Sequence, residues 1–176
     1  MSRHVVFLLG SPSVESRSAW IANTLANAIQ RTGLVPRIWS LIDFDPADVF
    51  FGRAKASTVA RFVEETTGAA ALVLATPVYK ATYSGALKGI VDLIPPDGLV
   101  DRPALGIATA RLAEHVQTVD ISFRALFAFF RARSLGSLTV LDDELTIHGG
   151  SGALSDAAAR RVEDATTSLV AAIEGT

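Results

Sequence analysis

Two stretches of this chain are apolar at every position, Val5-Val6-Phe7-Leu8-Leu9 and residues 70–75. A strand with one wet face alternates apolar and polar residues. An unbroken run suits a strand covered on both faces, as in a parallel sheet held between two layers of helix. Three further runs, residues 35–41, 104–108 and the weaker 137–141, bring the set to five. Helical patterns lie between them. Residues 18–31 place Trp20, Ile21, Leu25, Ala28 and Ile29 on one side, with Gly33 beyond as a C-cap. Residues 57–67, 83–93, 112–133 and 155–174 read as four more helices, the second of them stopped by Pro95-Pro96.

Strand and helix alternate along the whole chain, so the expected class is α/β with a doubly wound parallel sheet. Five strands predict the flavodoxin-like order 2-1-3-4-5, in one domain spanning residues 1–176. Composition removes several functions. The chain has 18 acidic and 16 basic residues and a formal charge of −2, which gives no electrostatic case for nucleic acid or an anionic membrane. It has no cysteine, so disulfides, thiolate chemistry and cysteine-ligated metals are excluded. The apolar run at residues 5–9 is too short for a signal core or a membrane span, so the chain reads as soluble and cytoplasmic.

In such a sheet ligands bind outside the carboxyl ends of the strands, where the strand order reverses. The segments after strands one, three and four should therefore carry the chemistry. The first reads Gly10-Ser11-Pro12-Ser13-Val14-Glu15-Ser16-Arg17-Ser18. A helix start with clustered hydroxyls suits a phosphate dianion, and Arg17 adds a fork of donors. The plainer reading is a strand–helix turn with Ser16 as N-cap. There is no Walker lysine and no G-x-G-x-x-G, which disfavours a P-loop or a dinucleotide turn. The second segment runs Ala75-Thr76-Pro77-Val78-Tyr79-Lys80-Ala81-Thr82-Tyr83-Ser84-Gly85-Ala86-Leu87-Lys88. Pro77 predicts a stiff extended exit from the strand, offering backbone groups to the edge of a flat ring. Tyr79 and Tyr83 could wall that ring and Gly85 could let it approach, or the tyrosines could simply pack.

Together these two segments resemble the NADPH-dependent FMN reductase family of flavodoxin-like enzymes. The nearest subgroup is the small reductases that feed reduced flavin to alkanesulfonate-type monooxygenases. Asp45-Pro46-Ala47-Asp48, Ala108-Thr109, His115 and Val119-Asp120 are weaker echoes, and the likeness covers roughly residues 4–145. The resemblance implies an NAD(P)H-dependent oxidoreductase whose cofactors are FMN and NADPH or NADH. Ser11, Ser16, Arg17 and Ser18 would hold the FMN phosphate. Pro77, Val78, Tyr79 and Lys80 would line the isoalloxazine, with Ser84 and Gly85 supporting them. A homodimer or homotetramer and a partner monooxygenase are also implied.

Two departures from the family pattern stand out. After strand four the family carries Thr-Gly-Gly against the flavin; this chain reads Thr109-Ala110-Arg111. Side chains at the glycine places are expected to crowd the ring or strain the backbone. Alternatively, Arg111 could face the N1/O2 edge of the flavin or point outward. After Val119-Asp120 the subgroup carries a tyrosine in a widened helical turn, where this chain has Ile121. Phe123, Leu126, Phe127 and Phe130 form a stripe that reads as core or as a subunit interface, extended by Phe129. His115 and His148 read as structural or solvent-facing, Asp142-Asp143-Glu144 as a solvated turn, and no metal spacing is found. Competing functions are an FMN-containing quinone or azo reductase, a one-electron carrier (disfavoured by the small net charge), and a non-catalytic relative that has lost flavin.

Overall fold

The unbroken apolar runs become the middle of a parallel sheet. In the computed structural model, which describes residues 3–13, 16–148 and 151–175, the elements in chain order are β1 (His4–Leu9), α1 (Arg17–Gln30), β2 (Val35–Ser40), α2 (Pro46–Phe50), α3 (Ser57–Thr67), β3 (Ala71–Pro77), α4 (Gly85–Val91), β4 (Pro103–Ala110), α5 (His115–Phe129), β5 (Arg133–Leu141), β6 (Leu145–His148), β7 (Ser151–Leu154) and α6 (Asp156–Glu174). The main sheet has the order β2-β1-β3-β4-β5 with every pairing parallel, as the sequence predicts.

Period-two alternation splits the core into two layers. Val6, Leu8, Leu72 and Leu74 face a cluster built with Phe62 of α3, Leu87 and Ile90 of α4, and Phe123 and Phe127 of α5. Val5, Phe7, Ala71 and Val73 face the other, with Ile21, Leu25 and Ile29 of α1 and Val162 and Leu169 of α6. Both faces of β1 and β3 are dry, and this is why neither strand carries a polar residue within its run.

Local chemistry accounts for the elements the sequence pattern did not predict. α2 starts at an Asp45 cap that accepts the Ala47 N–H at 2.8 Å, with Pro46 in the first helical position. Between β5 and α6 the structure places an antiparallel pair, β6 with β7. The long helix is shorter than its apolar pattern. α5 ends at Phe129 because Arg131 takes φ of 53°, which lets the Ala132 N–H reach Phe127 O and the Arg131 N–H reach Ala128 O, both at 3.0 Å. That is a Schellman closure with arginine where glycine is usual. The stripe Phe123, Leu126, Phe127 and Phe130 is core, whereas Phe129 and Ile121 are exposed. α5 is α-helical throughout, with no widened turn at Ile121. Among the described residues no helix is long and apolar enough to cross a membrane.

β4 admits α5 through Gly106. A Cβ built there would lie 2.4 Å from Cδ2 of the fully buried Phe123 ring. Gly106→Ala is therefore expected to cost roughly 1–3 kcal/mol through overpacking, read as a lower urea midpoint with an unchanged slope.

A second tie joins α5 to β5. Asp120 Oδ1 accepts the Ser137 N–H at 2.8 Å and the Ser137 hydroxyl at 3.0 Å, and Oδ2 accepts from Arg124 Nε at 2.6 Å. Burial works to raise the Asp120 carboxyl, but the hydrogen bonds from Arg124 and Ser137 and the Arg124 charge outweigh it and hold it below its ordinary range. Glu144 is lowered likewise: burial opposes, while the Leu141 N–H and Arg161 win. The folded chain thus binds fewer protons than the unfolded chain as these groups titrate. Their contribution to stability is complete above the ordinary carboxylate range and lost as pH falls through it and below. Asp120→Asn is expected to flatten the acid limb of a stability-against-pH curve measured by urea unfolding.

Candidate functional site

The carboxyl ends of β1, β3 and β4 meet where the strand order reverses, between β1 and β3. Gly10 carries the chain off β1, its N–H bonded to Ala75 O at 2.6 Å. It passes so close to α4 that an added Cβ would sit 2.6 Å from Leu87 Cβ. Only glycine allows that approach. The contact brings α4 directly beneath the first turn.

Ser84 locks the two segments together. Its hydroxyl donates to Gly10 O at 2.6 Å and accepts the Leu87 N–H at 3.1 Å, capping α4. Its own N–H donates to Thr76 Oγ1 at 3.0 Å, and Thr76 Oγ1 donates in turn to Pro77 O at 2.8 Å. Thr76 and Ser84 are both buried. Val78 N–H reaches Thr109 O at 2.8 Å, tying in the end of β4. Three loops thus become one shelf. Thr76 holds that shelf and was not singled out from the sequence; a hydroxyl just before a proline at a strand end was the available signal.

Beyond Val78 the chain does not run on extended as Pro77 suggested. Tyr79 and Thr82 exchange both backbone bonds, at 2.9 and 3.2 Å, around Lys80 at φ 50° and Ala81 at φ 70°. Two successive left-handed residues make a type I′ turn, normally built from Asn or Gly. The Val78 and Tyr79 N–H groups are used within the chain, so a ligand edge would meet the Lys80-Ala81 tip instead. Tyr79 is exposed, while Tyr83 lies against Phe123 with ring centroids 5.6 Å apart. Burial pushes the Tyr83 phenol above its usual value, against the pull of Lys88 and with the push of Asp92, so it stays protonated. Gly85 faces an open apolar groove of about 860 Å³ with Leu41, Phe44 and Val49, and an added Cβ would meet nothing within 4 Å.

The first turn gathers the hydroxyls. Ser11, Ser16 and Ser18 are buried. Val14 and Glu15 of the same turn lie outside the described residues. Ser11 Oγ accepts the Ser13 N–H at 3.1 Å. Ser16 stands at the N-cap of α1 with extended backbone, yet its hydroxyl makes no cap bond; it pairs with Ser18 Oγ at 2.8 Å. No acidic residue lies in the first turn of α1. Arg17 is half-exposed, 4.0 Å from Asp142 Oδ1. A helix start with no side-chain cap, three hydroxyls and a guanidinium is a donor set for an anion.

After β4 the glycine departure brings no left-handed backbone. Ala110 is the last residue of β4, paired with Leu141 and buried, and Arg111 is exposed just beyond. Neither has positive φ. The expected backbone strain is absent because β4 simply runs on through Ala110. Asp142-Asp143-Glu144 is more than a solvated turn: Glu144 accepts from Leu141 N–H at 2.9 Å and from Arg161 at 2.5 Å.

A family profile described as NADPH-dependent FMN reductase matches residues 3–146. An FMN reductase (NADPH) of Escherichia coli K12 is 32% identical over 143 residues, 81% of this chain and 75% of that one. A Pseudomonas putida protein of the same name is 33% identical over 129 residues, 73% of this chain and 66% of that one. The NADH-dependent FMN reductase SfnF of Pseudomonas fluorescens is 42% identical over 64 residues, 36% of this chain and 34% of that one. Among solved structures, the apo form of an NADH:FMN oxidoreductase (EmoB) superposes with TM-score 0.84 at 27% identity, covering 94% of this chain and 87% of that one. An archaeal flavodoxin matches in fold alone, with TM-score 0.64 at 8% identity over 97% of this chain and 99% of that one.

Replacing Ser84 tests the shelf. Ser84→Ala removes the α4 cap and leaves the buried Gly10 carbonyl without that donor. The expected cost is about 1–3 kcal/mol of unfolding free energy, read by chemical denaturation.

Proposed function

The chain belongs to the NADPH-dependent FMN reductase family and is an NAD(P)H-dependent FMN oxidoreductase, and from that premise we propose that it reduces FMN on the shelf at the ends of β1, β3 and β4 and supplies the reduced flavin to a partner monooxygenase. The observation that carries the site assignment is the start of α1, where Ser16 leaves the helix end without a side-chain cap and turns its hydroxyl to Ser18 beside Arg17. That donor set fits a phosphate dianion.

On this reading Ser11, Ser16, Ser18 and the Arg17 guanidinium hold the phosphate of FMN. Pro77, Val78, Tyr79 and Lys80 line the ring, with the type I′ turn presenting its Lys80-Ala81 tip to the polar edge. Thr109, Ala110 and Arg111 border the ring from β4. Ser84 keeps the two loops at fixed separation through Gly10 and Thr76, and Gly85 follows at the start of α4. When bound, FMN supplies the redox chemistry, accepting a hydride at N5 from the C4 of reduced nicotinamide. The protein contributes stacking, fixed dipoles and exclusion of water rather than an acid or a base. A net charge of −2, far from that of a strongly acidic electron carrier, supports two-electron exchange with small molecules.

The same reading includes a cytoplasmic homodimer or homotetramer. Phe129 and Ile121, both about two-thirds exposed on α5, support a contact between copies on that helix.

Oxidation of NADPH or NADH, followed by loss of absorbance at 340 nm on the nicotinamide band, is expected to depend on added FMN. Arg17→Gln and Ser16→Ala are expected to weaken FMN binding by about tenfold each, the order of one charge-assisted hydrogen bond, with riboflavin unaffected. A protein that neither changes the visible spectrum of micromolar FMN nor oxidises either nucleotide would overturn the proposal.

A further inference from the structure

We propose that Asp142 is a built-in rival for the phosphate of FMN, a carboxylate that shares the Arg17 guanidinium with it and so keeps the flavin exchangeable. The inference rests on the phosphate site argued above.

The placement comes from the fold. Arg17 opens α1, just after β1, and Asp142 opens the turn after β5, so 125 residues of chain separate them. Both segments leave the carboxyl edge of the same sheet, and they meet there with Arg17 Nη1 at 4.0 Å from Asp142 Oδ1. Both side chains are a little under half exposed, 46% and 42%.

What makes Asp142 more than a passing surface charge is its neighbour. Glu144 accepts the Leu141 N–H at 2.9 Å and the Arg161 guanidinium at 2.5 Å. Arg161 sits on α6, so the turn is stapled at both ends, to β5 and to a helix of the core. Asp142 is thereby held within reach of Arg17 while its own contact stays loose. Such a carboxylate can yield to a better acceptor without the turn rearranging.

A phosphate dianion is that better acceptor, since it offers two oxygens to the guanidinium fork and carries more charge. A phosphate that takes Arg17 competes with Asp142 for the guanidinium, and it then lies within a Debye length (about 8 Å at physiological salt) of that carboxylate. Both effects weaken FMN. Neither acts on a flavin that has no phosphate. Arg161 is already paired with Glu144, and Asp143, next in the same turn, adds negative charge. A site that holds its ligand against an internal rival suits a flavin that arrives, is reduced and departs. It suits a permanently bound group poorly.

The test is a fluorescence titration of the full chain with FMN and, separately, riboflavin, for the natural protein and Asp142→Asn. Expected is a roughly two- to fivefold tighter FMN affinity in the variant, within the span of an exposed ion pair, with riboflavin unchanged. FMN dissociation by stopped flow should slow by a similar factor. The gain should shrink at high salt and, in an Arg17→Gln background, shrink to the part due to direct repulsion. Asp142→Ser should behave as Asp142→Asn, so a folding fault in one variant does not decide the matter. If the natural protein binds FMN and neither variant binds it more tightly, or if riboflavin tightens equally, the rival role is overturned while the flavin site stands. If the natural protein binds neither flavin, both fall.

Discussion

The bond from the Ser84 hydroxyl to the Gly10 carbonyl is the interaction on which the site geometry depends. It joins residues 74 positions apart, and it is buried. A hydroxyl that spends its proton there must find its other partner close by, and it does, in the Leu87 N–H. The helix cap and the loop anchor are thus the same side chain. The absence of a side chain at Gly10 allows this, since α4 could not otherwise come close enough. The polar bond and the tight apolar contact with Leu87 require each other.

From that anchor the electrostatic arrangement follows. The loop after β1 is held low against α4, so its hydroxyls and the start of α1 face the reversal point of the sheet. Arg17 and Asp142 are each a little under half exposed, and no carboxylate lies in the first turn of α1. Among the described residues the Arg17 guanidinium there faces the carboxylate of Asp142. Thr76, Ser84 and Ala110 are buried at this edge of the sheet.

How much of this could be read from the residues alone follows from which interactions are local. β1 and β3 were legible because dryness on both faces writes itself as an unbroken apolar run. The hydroxyl-rich turn before α1 was legible because its serines and an arginine cluster within a few residues. The turn at Lys80-Ala81 was not, since its usual markers are Asn and Gly and neither is present. The end of α5 was hidden for the same reason: Arg131 adopts the left-handed conformation that glycine normally signals. The Ala110-Arg111 departure looked severe only because the family pattern suggested a strained path, whereas the strand continues straight through. Asp142 comes within 4.0 Å of Arg17 through the topology, which no spacing along the chain reveals.

The carboxylate of Asp120 has a consequence for how this protein behaves among its own copies. β5 is the outermost strand of the main sheet on its side, and an uncovered outer strand is a template on which other chains can polymerise. Asp120 takes the Ser137 N–H, and Glu144 takes that of Leu141, two residues beyond Thr139 on the same side of the strand. A foreign strand seeking to add there would find two of its acceptor positions filled by fixed negative charge. On the β5 edge the chain's own carboxylates thus stand where a sixth strand would place its carbonyls.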